Sequence, residues 1–226
     1  MKYHHPRIGG NGLPVELKAP SQPSALSTWA DPNQIATVTP DGPLPASLDE
    51  ISLVAWTEAP TESAGWEEQA VVLALPFPEP PMKSVPGRAA ASGVVILERD
   101  GRVWVVSPSN AFGGYVNTFP KGKLDQGLSL RANALKECHE ESGLQVELTG
   151  YLCDSHRSTS VTRYYTARRV GGNPAAMGWE TQAVHLLPRS LLATFVSHQN
   201  DLGILKALEA SPCLSEAVTR QSPAHR

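Results

Sequence analysis

From Gly122 to Leu144 the chain reads Gly122-Lys-Leu-Asp-Gln-Gly-Leu128-Ser-Leu-Arg-Ala-Asn-Ala-Leu-Lys136-Glu137-Cys-His-Glu140-Glu141-Ser-Gly143-Leu144, a tight loop running into a helix whose far end carries three carboxylates. Ser129 can cap the helix start, residues 130–142 hold good helix formers and no proline, and Gly143 supplies the left-handed residue that ends it. Glu137, Glu140 and Glu141 stand at i, i+3 and i+4, so a helix stacks them on one face, where they repel unless a cation neutralises them. Leu135, Cys138 and Ser142 fall on another stripe, so one face can pack inward while the other faces a cleft. A Glu-rich last turn is often only a solvated helix end, but acids there oppose the helix dipole and argue for a compensating cation. Oxygen-only ligands favour Mg²⁺, Mn²⁺ or Ca²⁺ over zinc, and Mg²⁺ commonly takes one or two carboxylates while a substrate phosphate completes its shell. The pattern predicts phosphate transfer or hydrolysis here, with Mg²⁺ or Mn²⁺ as cofactor.

The segment resembles the box of the Nudix hydrolase family, G-x5-E-x7-R-E-U-x-E-E-x-G-U with U apolar, and Gly122, Glu137, Cys138, Glu140, Glu141, Gly143 and Leu144 fall in register. Two positions depart from it. Leu128 stands where the family has its first glutamate and Lys136 where it has arginine, which looks like replacement of an ion pair by an apolar contact. The resemblance covers roughly residues 90–210 and implies an α/β fold, the Nudix αβα sandwich with a mixed sheet. It also implies that Glu137, Glu140, Glu141 and the carbonyl of Gly122 hold the metal. The general base would be a box glutamate, Glu137 or Glu141, or a glutamate on a later loop. Glu180 is the only acidic residue between Asp154 and Asp201 and is the later-loop candidate.

The flanks agree with a sheet between helices. Val94–Leu97 and Val103–Val106 are β-branched runs on either side of Asp100-Gly101, the dipeptide of a two-residue hairpin turn. Strand-like stretches follow at 145–152, 161–169 and 183–187, and helical patterns at 191–196 and 202–208. Residues 90–212 are therefore expected to form the Nudix domain, residues 1–89 a small accessory region, and residues 213–226 a flexible tail. The run Leu75-Pro-Phe-Pro-Glu-Pro-Pro-Met82 is a stiff extended connector. Before it, Trp29, Trp56 and Trp66 and short apolar runs could pack on the sandwich, cover the site or order on dimerisation, so a homodimer stays open.

Charge and cysteine usage bound the partners. The formal charge is −3, with −5 on residues 1–92 and +2 on the rest, which speaks against non-specific binding of nucleic acid. No apolar stretch approaches a membrane span and the first residues do not lead into a signal-peptide core, so a cytoplasmic protein is expected. Cys138, Cys153 and Cys213 lack metal or disulfide spacing and are expected to be buried apolar residues. Gly9, Gly10 and Gly12 are followed by no lysine-serine or lysine-threonine pair, and Asp154-Ser-His156 offers triad residue types without a nucleophile elbow.

Substrate choice must come from outside the acidic helix. Phe119-Pro-Lys121-Gly-Lys123 places two cations on the loop entering the box. His156, Arg157 and Arg163 are further candidates for binding a phosphorylated small molecule. This entry resembles Nudix enzymes that act on dinucleoside polyphosphates and related polyphosphates, and implies cleavage of a diphosphate bond in a nucleoside diphosphate linked to another moiety. The alternatives are ADP-ribose or nucleoside-triphosphate pyrophosphatase activity, or a nucleotide-binding sensor that does not hydrolyse; Leu128 and Lys136 favour the sensor and the intact acid cluster opposes it.

Overall fold

The computed structural model describes residues 2–211. In chain order it contains β1 (Tyr3–Ile8), β2 (Pro14–Leu17), β3 (Ala36–Val38), β4 (Ser47–Leu48), β5 (Ile51–Ser52), α1 (Ser63–Val72), β6 (Ala89–Leu97), β7 (Val103–Pro108), β8 (Lys121–Lys123), α2 (Leu130–Ser142), β9 (Leu144–His156), β10 (Ser160–Gly172), β11 (Thr181–Leu187), α3 (Leu192–Phe195) and α4 (Leu202–Ala210). Seven strands form one mixed sheet in the order β3-β11-β7-β6-β10-β9, with β8 paired to β6. The β6–β10 pair is parallel and the others are antiparallel.

Strand alternation divides the apolar residues between two layers. Val94, Ile96, Trp104, Val106, Tyr165, Ala167, Val184 and Leu186 join Leu135 and Cys138 of α2 in one core. Val95, Val103, Val105, Tyr164 and Leu187 point the other way and pack on Leu192, Ile204, Leu205 and Leu208 of α3 and α4. The result is the expected αβα sandwich. Among the described residues no helix is long and apolar enough to cross a membrane.

Two local expectations change. The β6–β7 connection is longer than a two-residue turn, because Glu98 N–H bonds Arg102 O at 2.9 Å and leaves Arg99, Asp100 and Gly101 in the loop, with Gly101 at φ 86°. A left-handed third residue suits a three-residue loop, and Asp100 closes it by accepting from Arg102 N–H and Nε. The stiff proline-rich run does not stand clear of the sandwich as a connector would. Leu75 N–H bonds Leu148 O, while Glu79 accepts from Arg131, Arg163 and the Tyr165 hydroxyl.

The first ninety residues pack on the sandwich. β3 extends the sheet beside β11, and Trp29, Leu48, Leu53 and Trp66 are buried in the same core as α2. Arg169 forms a buried ion pair with Glu98 at 2.7 Å and donates to Leu48 O, fastening the β4–β5 hairpin to β10. A division near residue 89 therefore separates segments of sequence, not two hydrophobic cores. Cys138 is buried and Cys153 half-buried, whereas the tail at 213–226 and Cys213 lie outside the described residues.

Candidate active site

The acidic helix begins and ends as its sequence dictates. Ser129 Oγ accepts from Ala132 N–H, and Gly143, at φ 67°, donates to His139 O. Against it packs β8, where Gly122 leaves room: a Cβ on Gly122 would sit 2.1 Å from the Glu137 carboxyl carbon. Glu137 is therefore pressed against bare backbone and is only 9% exposed. Glu141 is held by the neighbouring residue, accepting from Lys121 N–H at 2.8 Å.

Glu180 joins them through backbone contacts. Gly178 N–H bonds Glu140 O at 2.7 Å, tying the loop before β11 to the last turn of α2. From the other side Ser109 N–H bonds Glu180 O and Ser109 Oγ donates to Trp179 O. The β1–β2 hairpin completes the brace: buried His5 donates from Nε2 to Thr181 O, and its Nδ1 accepts from Arg7 N–H, which together select one tautomer. Asn110, in the left-handed region at φ 56°, reaches β2 with its amide, donating to Glu16 O and accepting from Lys18 N–H.

Charges at this site are crowded. Burial first, and then the charge of Glu141, push the Glu137 carboxyl up to about 8. Burial likewise pushes Glu141 up to about 7 against the pull of Lys121, and Glu180 is raised by burial and by Glu140. These shifts mark a set of hard oxygen donors short of positive charge, which suits a hard divalent cation, and Gly122 provides the bare backbone that lets Glu137 approach. The set is not closed in this structure. Glu140 turns outward and pairs with Lys136 at 2.6 Å, and among the described residues no three His, Cys, Asp or Glu side chains converge as a ready metal cage.

The cation candidates divide. Lys121 lies at the site, its Nζ 5.0 Å from the centre of the Tyr115 ring, and its charge acts on both Glu141 and Glu180. Lys123 is exposed at the end of β8. Arg157 and Arg163 are not available as expected. Arg157 is 7% exposed and spent on Asp201 at 2.8 Å and on the hydroxyls of Tyr115 and Tyr164. Arg163 grips both oxygens of Asp154 at 2.8 Å and also Glu79. Arg157 neutralises the buried Asp201, and Arg163 is taken by half-buried Asp154, its register partner on β9, and by Glu79. His156 is exposed on edge strand β9, with β10 and β6 between it and β8.

Sequence reasoning passed over Asn133. Fully buried, it accepts from Asp125 N–H at 3.0 Å and donates to Ser92 Oγ at 3.0 Å and to Gly122 O at 3.5 Å, joining the loop, β6 and α2. Its signal was available: it precedes Glu137 by one turn, a polar residue on a helix face that packs inward.

The family model of the NUDIX domain matches residues 87–207. The chain belongs to the Nudix family. Curated relatives include the RNA pyrophosphohydrolase of two strains of Caulobacter vibrioides, each 36% identical over 92 residues, covering 40% of this chain and 50% of the relative. The chain spans about half the length of the curated relatives it matches. Among solved structures, a NUDIX hydrolase from Nitrosomonas europaea aligns at 17% identity with a TM-score of 0.47, covering 63% of this chain and 78% of the other. An Ap4A hydrolase from C. elegans, in a binary complex, aligns at 17% identity and 0.43, covering 54% and 96%.

Proposed function

We propose that this Nudix chain is a divalent-metal-dependent hydrolase of a pyrophosphate bond in a nucleoside diphosphate linked to another moiety. The observation that carries this is Glu137 packed on the bare backbone of Gly122, with Glu141 held next to it by the Lys121 N–H and the charges of Lys121 and Glu180 acting on Glu141. The pyrophosphohydrolase relatives support the same bond type.

Glu137, Glu141 and the Gly122 carbonyl would hold Mg²⁺ or Mn²⁺, with Glu140 joining when it leaves Lys136. When bound, such an ion supplies charge neutralisation for the diphosphate and acidifies a water. Lys121, fixed beside Glu141, stabilises negative charge building on the phosphoryl oxygens. Glu180 would take the proton of the attacking water, a reading supported by its raised carboxyl, which lies nearer the range where a general base is most effective. With Arg157 and Arg163 locked in ion pairs, selectivity for long polyphosphates falls to Lys121 and Lys123. Dinucleoside polyphosphates remain the preferred class because these two cations enter on consecutive same-face positions of β8. ADP-ribose, nucleoside triphosphates and the 5′ end of a triphosphorylated RNA are the competing substrates.

The test is release of phosphate or nucleotide from that panel with Mg²⁺, with Mn²⁺ and in excess EDTA. Turnover only with metal supports the proposal. Full turnover in EDTA would sink the metal assignment, and no turnover of any compound would favour a nucleotide-binding sensor.

A further inference from the structure

The family pattern has its first acid at position 128, and there this chain carries a leucine buried in the α2 core. Lys136 has not lost its acidic partner, however. Its Nζ lies 3.0 Å from Asp125 Oδ2 and 2.6 Å from Glu140 Oε2. Burial works against the ammonium, but the hydrogen bonds to Glu140 and Asp125 outweigh it and hold the charge. Asp125 is brought there by backbone, not by chance exposure: its N–H is fastened to the buried Asn133 amide and its carbonyl accepts from Leu128 N–H at 3.2 Å. Asn133 and Lys136 are one turn apart on α2, so the same contact that anchors the loop places Asp125 beside Lys136.

We infer that Asp125 is a positioning residue: it supplies the acid absent at position 128 and shares Lys136, so that Glu140 can turn from the lysine towards a divalent cation. This rests on the metal reading of the proposed function. Without Asp125 the ammonium has one carboxylate left, the i+4 partner Glu140, and competes with a cation for it. With Asp125 present, Lys136 keeps a partner when Glu140 moves. The Asp125 side chain is 52% exposed, so replacing it should barely change folding stability.

The experiment measures Mn²⁺ affinity of the full chain by electron paramagnetic resonance, with thermal unfolding run on every variant. Asp125→Asn should weaken Mn²⁺ binding about three- to fivefold, the size a part-exposed ion pair can supply, with an unchanged Tm. Asp125→Glu should retain affinity. In a Lys136→Met background the Asp125→Asn effect should vanish, because no lysine remains to be held. An equal loss in both backgrounds would reduce Asp125 to a remote negative charge and overturn the inference, as would no loss in the unaltered background. A chain that binds no Mn²⁺ in any form refutes the metal reading and the inference with it, whereas binding indifferent to Asp125 refutes the inference alone.

Discussion

Restoring the family's glutamate at position 128 should harm this protein. Leu128 is 8% exposed and packs with the α2 core beside Leu124 and Leu130. Leu128→Glu forfeits roughly 2 kcal/mol of apolar burial. It also places a carboxyl where its natural partner, Lys136, is already held by Asp125 and Glu140. A buried carboxyl without a partner stays protonated, so its folded pKa rises while the unfolded chain ionises above about 4.3. Each pH unit above that value then favours unfolding by about 1.4 kcal/mol until the folded pKa is reached. At neutral pH the total is roughly 4 kcal/mol or more, a Tm lowered by about 10 °C or more for a chain of this size. Urea or thermal unfolding of Leu128→Glu beside Leu128→Ala isolates the charge, since the alanine variant loses burial alone. The gap between the two should widen from pH 5 to pH 8, with no gain in hydrolysis rate. An unchanged melting temperature together with a faster rate would show that position 128 is an impaired ion-pair site, not an adapted apolar one.

Glu141→Gln should cut kcat by orders of magnitude with an unchanged Tm, because the amide oxygen can still accept from Lys121 N–H while the charge that holds a cation is gone; a rate within a few-fold of the unaltered chain would remove Glu141 from the machinery. Lys121→Ala should raise KM more for a dinucleoside polyphosphate than for ADP-ribose, since its ammonium is the cation placed among the site carboxylates; equal losses across chain lengths would make it structural. His185 is buried between Thr37 Oγ1 and Ser107 Oγ, and burial lowers it from 6.5 to about 4. Its depressed pKa makes a stability contribution that is present above pH 6.5 and lost as pH falls towards 4, about 3 kcal/mol over that window. Urea unfolding from pH 7 to pH 4.5 should lose less stability in His185→Gln than in the unaltered chain, and parallel losses would contradict the assignment.

Local order was legible because it is written in neighbours along the chain. Ser129, Gly143 and the i, i+3, i+4 carboxylates announce α2 and its acidic face, since capping, left-handed backbone and helical spacing act over a few residues. The strands β6, β7, β10 and β11 are equally plain in their apolar alternation, and with the box they carry the αβα sandwich. Glu180 stood out because it is the lone acid of its segment.

The fate of the cations was not legible. Arg157 and Arg163 stand in the sequence as promising phosphate ligands, yet Asp201 lies 44 residues from Arg157, and Arg163 is taken by Asp154 across the β9–β10 pair and by Glu79, 84 residues away. Only the folded sheet decides that these acids reach the arginines first. Lys136 seemed to lose a partner with Leu128 until the loop held by Asn133 brought Asp125 within reach. The role of the first ninety residues was likewise decided by the tertiary structure, which sets β3 at the sheet edge and His5 against the Glu180 loop. The sequence by itself determined the acidic helix and the face its carboxylates share, because helical spacing is local. The tertiary structure alone decided which charges stay open to a substrate, because neutralising a buried charge depends on groups distant in the chain, and a long-range partner leaves no period or motif to read.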